Sequence, residues 1–310
     1  MRLAIIDLGT NTFNLLIAEK KEGIAKKIFK TKIPVRLGEG GLEKKKIMPA
    51  PYARAKDAIK QFKDISRKFE VKEYMAFGTS ALRNAVNGPK FVAEVFKEYG
   101  INIQVISGLS EAEFIWYGVR SGIELTEEPS LILDIGGGSN EFIITTKTRL
   151  LWKGSYDLGI ARLLEKFKPA DPFKKEDIKK ITDHCDAGLK TLDAAMKEHK
   201  PFEIIGSAGS FDSFAQLCTG DPPVGTSYEF DLEKFFALEK LLLNSKHEER
   251  KTLKGLVSFR VDMIVPAVLF TAHVIRKYKF KNFRMTTHSL KEGVLEKWAL
   301  GKMPATKSGY

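Results

Sequence analysis

The sequence predicts an α/β fold built from two similar domains, and three observations support this prediction. Short apolar segments alternate with longer segments of helical periodicity, which is typical of α/β proteins. An apolar strand, an aspartate, a glycine turn and a second apolar strand occur at residues 6–17 and again, in the same register, at 133–144. The length of 310 residues suits two ordinary domains. The repeat therefore predicts two domains that each open with the same β-hairpin.

The elements of the first half follow from apolar spacing and from residues typical of helix ends. Apolar residues predict strands at 3–7 and 14–18 on either side of a turn of Gly, Thr and Asn. Helical periodicity with outward lysines predicts a helix over 50–69. The other predicted elements are strands at 71–77 and 101–106, a helix bracketed by Pro89 and Gly100, and a helix towards Gly122 opened by a capping box of Ser110 and Glu113.

The second half repeats the strand–turn–strand pattern and then becomes mainly helical. Strands are predicted at 130–134 and 141–146, with three consecutive glycines between them. The apolar pair Ile204 and Ile205 leads through another glycine turn into a helix. Further helices are predicted at 160–167, 175–197, 232–243 and 262–277, and a last one starts at Ser289 with Glu292 as its capping-box partner. We expect residues 301–310 to form a frayed tail.

The composition is that of a globular protein with a large basic excess. Hydrophobic residues at 43% and charged residues at 29% exclude a disordered chain. No apolar run approaches the roughly 18 residues of a membrane helix, and no signal-peptide pattern is present, so we expect a cytoplasmic protein without a membrane partner. The net charge of +12 favours an anionic partner, although a solvated lysine-rich surface would carry the same charge.

The lysines are clustered, but aromatic residues do not interleave with them. The clusters are Lys20 with Lys21, Lys26 with Lys27, Lys30, Lys32, and Lys44 to Lys46. Proteins that bind single-stranded nucleic acid stack bases on aromatic side chains next to such charges. We therefore expect no nucleic-acid partner.

Each hairpin turn predicts a phosphate-binding loop. Turns of small residues present backbone N–H groups that bind anions. The residues concerned are Gly9, Thr10, Asn11 and Thr12 in the first turn, and Gly136, Gly137, Gly138 and Ser139 in the second. Asp7 and Asp134 stand at the strand ends, where a carboxylate can hold a divalent cation. Two such turns in register could face each other across a cleft between the domains.

Three further features are candidates for phosphate chemistry. The third glycine turn offers Gly206, Ser207 and Gly209 before a helix N-terminus, although a plain strand–helix turn has the same appearance. Arg83 could clamp a phosphate, or could be a surface arginine. Glu111 lies in a first helical turn, where acids also simply suit the helix dipole. The sequence contains no GxxxxGK[ST], which excludes a P-loop enzyme, and no GxGxxG that opens a helix, so we do not expect a Rossmann dinucleotide site.

These motifs resemble the exopolyphosphatase / guanosine pentaphosphate phosphohydrolase family, in a short two-domain form. Five ordered stretches carry the resemblance, at residues 6–12, 36–39, 78–85, 106–113 and 134–141, with weaker matches at 158–163, 206–210 and 290–293. The resemblance implies two actin-like or sugar-kinase-like (ribonuclease H-like) domains with a cleft between them. It places domain I at 1–120, with a C-terminal helix at 288–310 packing back on it, and domain II at 121–287.

The resemblance also implies roles for individual residues. It identifies Glu111 as the catalytic base, with Glu141 helping to organise the attacking water. It assigns Mg²⁺ (or Mn²⁺) to Asp7, Asp134 and Glu141, and substrate phosphate to Arg83 and the glycine turns. The implied enzyme is a metal-dependent hydrolase of phosphoanhydrides that releases the terminal phosphate of inorganic polyphosphate.

The sequence departs from the family pattern at three positions, and more than one function is compatible with it. Asn14 stands where many members carry Arg or His, Ser210 where Thr is common, and Lys291 where Arg is usual. Guanosine pentaphosphate could be the substrate instead of polyphosphate, because both present a terminal phosphoryl group. A kinase on the same fold and a catalytically weak sensor of polyphosphate or the alarmone are further candidates. The family also makes a homodimer possible.

Overall fold

A computed structural model describes residues 1–22, 24–303 and 306–307 of the chain. The strands within these residues are β1 (Arg2–Leu8), β2 (Thr12–Lys21), β3 (Ile24–Pro34), β4 (Glu73–Gly78), β5 (Ile103–Val105), β6 (Ser130–Ile135), β7 (Asn140–Thr145), β8 (Leu150–Tyr156), β9 (Glu203–Ser207), β10 (Ser227–Glu229), β11 (Asn282–Thr286) and β12 (Thr306–Lys307). They form two separate mixed sheets.

The helices within the same residues are α1 (Pro49–Lys68), α2 (Ser80–Asn84), α3 (Gly88–Tyr99), α4 (Gly108–Gly122), α5 (Ile160–Phe167), α6 (Lys175–Gly188), α7 (Lys190–His199), α8 (Ser210–Thr219), α9 (Leu232–Asn244), α10 (His247–Lys251), α11 (Ile264–Tyr278) and α12 (Leu290–Ala299). A single 3-10 turn covers Ser258–Arg260. Among the described residues, no helix combines the length and the apolar character needed to cross a bilayer.

The chain divides into two compact units. The first contains Met1–Gly118 and returns at Leu290 for the C-terminal segment, and the second contains Val119–Ser289. In the first unit the sheet order is β12-β4-β1-β2-β3, and β5 also pairs with β4. One face of this sheet packs against α1 and α3 around Phe13, Phe62 and Phe91. Helix α12 packs against β1, β2 and β3.

The second unit repeats the topology of the first. Its order is β10-β11-β9-β6-β7-β8, in which β6, β7 and β8 are antiparallel and β6, β9 and β11 are parallel. The first unit has the same arrangement in β1 to β5. The core of the second unit is rich in phenylalanine, and the rings of Phe230 and Phe283 stack at 4.1 Å between centroids. The duplication that the sequence predicted is therefore present in the strand pairing.

Most predicted elements are confirmed, and some details are wrong. The predicted helix over 175–197 is two helices, because helix α6 ends at Gly188, a poor helix former, and α7 begins only after Leu189, which is fully buried in the core. Helix α4 begins at Gly108, and it is the Ser107 hydroxyl that accepts a hydrogen bond from the Ser110 N–H, so Ser110 is not the cap. Within the predicted frayed tail, residues 306–307 pair with β4. Residues 304, 305 and 308–310 lie outside the described residues.

Candidate active site

The first hairpin turn is closed at its base and places a carboxylate beside it. The Gly9 N–H donates to the Thr12 carbonyl at 3.2 Å. Asp7 lies near the end of β1 and pairs across the ladder with Asn14 on β2. The Asn14 amide donates to Asp7 Oδ2 at 3.0 Å. The hairpin register therefore fixes the orientation of the Asp7 carboxylate.

The carbonyl groups of this turn are engaged, whereas two of its N–H groups are not. The Asn11 carbonyl accepts hydrogen bonds from the N–H groups of Val35 and Arg36 at 3.0 and 2.8 Å, and the Thr10 carbonyl accepts one from Gly38 at 3.1 Å. The backbone N–H groups of Thr10 and Asn11 have no hydrogen-bond partner among the described residues. A fixed turn with unpaired N–H groups is suited to bind an anion. Residues 35–38 therefore act as the support of the first loop, a role that the sequence pattern did not reveal.

Asp7 is an electrostatically unfavourable carboxylate. Burial raises its pKa to about 6 from the ordinary value of 3.8. The charge of Lys291 and the Asn14 hydrogen bond lower the pKa, but they do not compensate for burial. Glu292, next to Lys291 at the start of α12, raises it further. A bound cation would relieve this cost, which is consistent with a metal at Asp7.

The second hairpin turn has the same construction. The Gly136 N–H donates to the Ser139 carbonyl at 3.1 Å, and Asp134 pairs across the ladder with Glu141. Glu141 is only 1% exposed, and Ser155 Oγ donates to its Oε1 at 2.7 Å. In the duplicated hairpins, Asp134 corresponds to Asp7 and Glu141 corresponds to Asn14. The first unit thus pairs a carboxylate with an amide, and the second places two carboxylates side by side.

The start of α5 holds the second turn in place. The N–H groups of Ile160 and Ala161 donate to the carbonyls of Gly136 and Gly137 at 3.0 and 2.9 Å. Arg162 Nε donates to the Gly138 carbonyl at 3.1 Å. The backbone N–H groups of Gly137 and Gly138, like those of the first turn, have no hydrogen-bond partner in the described parts of the chain. In both turns, therefore, the carbonyls are hydrogen-bonded within the protein and two N–H groups lack a partner among the described residues.

The third glycine turn contributes one side chain to the second hairpin. Ser207 Oγ donates to Asp134 Oδ2 at 2.7 Å and also lies 3.2 Å from the His288 carbonyl. Gly206 is buried within β9, where an added Cβ would lie 2.2 Å from the Phe211 ring. Its small size therefore serves packing, and the geometry offers no support for the predicted phosphate contact of Gly206. Gly209, at φ +56°, forms the turn itself.

Arg83 and Glu111, which are far apart in the sequence, form an ion pair in the first unit. Arg83 Nη1 donates to Glu111 Oε2 at 3.1 Å and to the Ile106 carbonyl at 2.9 Å. Arg83 lies in the last turn of α2 and Glu111 in the first turn of α4. Both side chains are largely shielded, with 21% and 13% exposed. The sequence predicted a role for each residue but did not reveal this contact.

The residues fit a magnesium site that the substrate completes. Among the described residues, no group of three or more His, Cys, Asp and Glu side chains is arranged to hold a metal ion. Mg²⁺ is commonly bound by one or two carboxylates together with substrate phosphates and water. Asp134 and Glu141, paired on neighbouring strands, offer two such carboxylates. Asp7 offers one in the other unit.

The duplicated topology and the matching hairpins define an actin-like protein with two α/β domains, which confirms the predicted fold class. The chain belongs to the Ppx/GppA phosphatase family, whose sequence profile matches residues 16–302. This membership confirms the resemblance seen in the sequence motifs.

Similar proteins carry two kinds of name. The crystal structure of an exopolyphosphatase from Cytophaga hutchinsonii is 35% identical, with a TM-score of 0.94 over 98% of this chain and 99% of that one. Exopolyphosphatase 1 of Mycobacterium leprae is 26% identical over 300 residues, which cover 95% of this chain and 88% of that protein. A guanosine-5'-triphosphate,3'-diphosphate pyrophosphatase of Aeromonas salmonicida is 24% identical over 304 residues, which cover 94% of this chain and 58% of that protein.

Proposed function

We propose that this protein hydrolyses phosphoanhydride bonds and releases the terminal phosphate of inorganic polyphosphate. The observation that carries the proposal is the pair of hairpins, each with an aspartate at a strand end and a fixed turn. In each turn, two backbone N–H groups have no partner among the described residues. Such loops bind phosphate oxygens without a large side chain in the way. The names of the similar proteins support phosphoanhydrides as the substrate class.

The mechanism relies on positioning and on charge. Phosphoryl transfer requires little covalent chemistry from a protein, so N–H groups and cations around the phosphoryl oxygens provide most of the catalysis. Glu111 accepts the proton of the attacking water, and the ion pair with Arg83 holds its carboxylate in one orientation. A guanidinium carries five N–H donors, so Arg83 can hold both Glu111 and a phosphate oxygen.

We propose that the reaction requires Mg²⁺ (or Mn²⁺). Asp134 and Glu141 would hold it in the second unit, and Asp7 is the candidate ligand in the first. When bound, the ion neutralises charge that develops on the phosphate oxygens. Ser207 and Ser155 hold the two carboxylates of the second unit in a fixed orientation by donating hydrogen bonds to them.

The substitution Glu111→Gln tests the base. Glutamine keeps the size of the side chain and can still accept a hydrogen bond from Arg83, but it cannot take up a proton. We expect kcat to fall roughly 10²–10⁴-fold, with KM unchanged or lower, because the phosphate-binding loops are intact. Steady-state phosphate release from long polyphosphate measures both constants.

Glu113→Gln is the matched control, because Glu113 lies on the same helix and contacts Lys297 instead of Arg83. It should stay within a few-fold of wild type. If Glu111→Gln also stayed within a few-fold, Glu111 would be only a helix-start acid. Wild-type assays with long polyphosphate, tripolyphosphate, guanosine pentaphosphate and ATP then rank the substrates. If phosphate were released from guanosine pentaphosphate and from no other compound, guanosine pentaphosphate would be the substrate instead of polyphosphate.

A further inference from the structure

Two lysines of β3 lie on the same face of the sheet as Asp7. The ladder aligns Asp7 of β1 with Asn14 of β2, and Asn14 with Lys32 of β3. Two residues further along the ladder, Leu16 of β2 pairs with Lys30 of β3. Because side chains opposite each other in a ladder point to the same face, Lys32 and Lys30 continue the face that carries the Asp7 carboxylate.

A β-bulge adds a third lysine to this face. The register between β2 and β3 shifts between Ile17 and Ala18. Ile17 pairs with Phe29 and Ala18 pairs with Lys27, so β3 contains one extra residue, Ile28, at the bulge. Without this bulge, strict alternation would turn Lys27 to the opposite face. Lys27, Lys30 and Lys32, which we call the lysine column, therefore share one face over roughly 16 Å of strand.

The electrostatics of the lysine column favour an added negative charge. Partial burial lowers the pKa of Lys27. The charges of Lys30 and Lys291 lower this pKa further, because like charges disfavour the ammonium form. Glu292 raises the pKa of Lys27, and Lys291 Nζ lies 3.3 Å from Glu292 Oε2. A row of phosphates along these lysines would relieve their mutual repulsion.

We propose that the lysine column binds the phosphate chain of long polyphosphate behind the phosphates held at the first hairpin turn. The inference rests on the proposed function and narrows its substrate class to a polymer. The column begins in the row of Asp7 and runs away from it along an edge strand. Tripolyphosphate, with only three phosphates, is too short to reach all three lysines of the roughly 16 Å column.

Lysines on an edge strand also have a structural role, because their charge prevents two sheets from associating edge to edge. Lysines on either face of the strand can serve that role. Lys26 shows the difference, because it pairs with Glu19 and lies on the other face of β3. The aromatic residue of this strand, Phe29, packs against the opposite core. The column thus has charge without a stacking surface, which favours a bare phosphate chain over single-stranded nucleic acid.

The test removes the three charges together. The variant Lys27→Gln/Lys30→Gln/Lys32→Gln is compared with Lys26→Gln/Lys60→Gln/Lys68→Gln, which loses the same charge at exposed positions off the column. Binding of long polyphosphate and of tripolyphosphate is measured by calorimetry in EDTA at several salt concentrations. We expect the Kd for long polyphosphate to rise about tenfold or more in the column variant only, and the salt dependence to become shallower. The factor by which the Kd for tripolyphosphate rises in the column variant should be smaller, by about tenfold or more, than the factor for long polyphosphate.

An equal loss in both triple variants, or an equal loss for both ligands, would overturn the inference. So would single-stranded RNA that binds wild type as tightly as polyphosphate does. Binding in EDTA does not require turnover, so an inactive wild type would disprove the proposed function while the Kd comparison still decides the role of the column. If the triple variant folds poorly, the single variants Lys30→Gln and Lys32→Gln provide the same comparison.

Discussion

Asp7, the candidate metal ligand of the first unit, is a buried carboxylate whose charge lowers stability. Its pKa of about 6 in the folded protein lies above its ordinary value of 3.8, so the folded state binds the proton more tightly than the unfolded state. Stability therefore falls as the pH rises from about 4 through about 6, and it stays lower above that range. Asn at this position removes the ionisation and can still accept the hydrogen bond from Asn14.

We expect Asp7→Asn to raise the free energy of unfolding at pH 8 by about 2–3 kcal/mol, and to change it little at pH 4. Urea unfolding at both pH values, in EDTA to remove metal, measures the difference, and the exposed Asp57→Asn serves as the control. Equal effects at both pH values would contradict this account of Asp7. Phosphate release should collapse in the same variant, as is common when a functional residue is exchanged for a more stable one.

The residues of the candidate site were predictable to the extent that they stand in a local pattern. Asp7 and Asp134 follow from the strand–turn–strand repeat, and the structure places both beside closed turns. Contacts between distant segments were not predictable. The Ser207 hydroxyl reaches Asp134 because β9 lies beside β6, and sequence spacing contains no sign of that adjacency.

At the scale of elements, the start of α5 fixes the second hairpin turn through hydrogen bonds to its carbonyls. Gly159, which precedes α5, approaches this loop so closely that an added Cβ would lie 2.3 Å from the Gly138 carbonyl carbon. We expect Gly159→Ala to displace the loop, to cost about 1–3 kcal/mol of stability and to lower kcat/KM more than tenfold. Thermal unfolding and polyphosphate hydrolysis measure the two effects.

Gly188→Ala, in the same unit, is the control, since the atoms nearest its Cβ would belong to the Leu158 side chain, at 3.1 Å, and not to the backbone of the loop. It should be nearly neutral in both assays. Full activity in Gly159→Ala would show that the position of α5 does not matter for the loop.

Elements with regular periodicity were predictable, and irregular ones were not. The amphipathic helix α5 has the predicted bounds, Ile160–Phe167. Strand β3 was missed because it is rich in lysine and because its bulge interrupts the alternation of apolar and polar residues. The break between α6 and α7 follows Gly188, a poor helix former inside the periodic stretch 175–197, and Leu189 beside it is fully buried.

For the whole molecule, the internal repeat predicted two domains, but it did not predict which segments of the chain belong to each. The first unit is discontinuous, because the C-terminal segment from Leu290 returns to it. Its helix α12 ends at Ala299, earlier than the predicted 288–310. The buried residues of β1 and β2 that do not face α1, such as Ile5 and Leu16, are fully covered in this arrangement. Stability of the first unit should therefore depend on residues almost three hundred positions away.

Trp298 provides the test of this dependence. It is 4% exposed in α12, and Lys20 Nζ lies 5.6 Å from the centre of its ring. Removing a buried Trp side chain costs about 3–5 kcal/mol, and the cost should fall on the unit that contains it. We expect Trp298→Ala to accelerate amide hydrogen exchange in β1, β2 and β3, with little change in Val119–Ser289. The counterpart Phe235→Ala, in the core of the second unit, should show the reverse pattern. If Trp298→Ala left exchange in β1 to β3 unchanged, the first unit would not need its C-terminal helix, and the covered face of its sheet would have to be stabilised by the remaining residues.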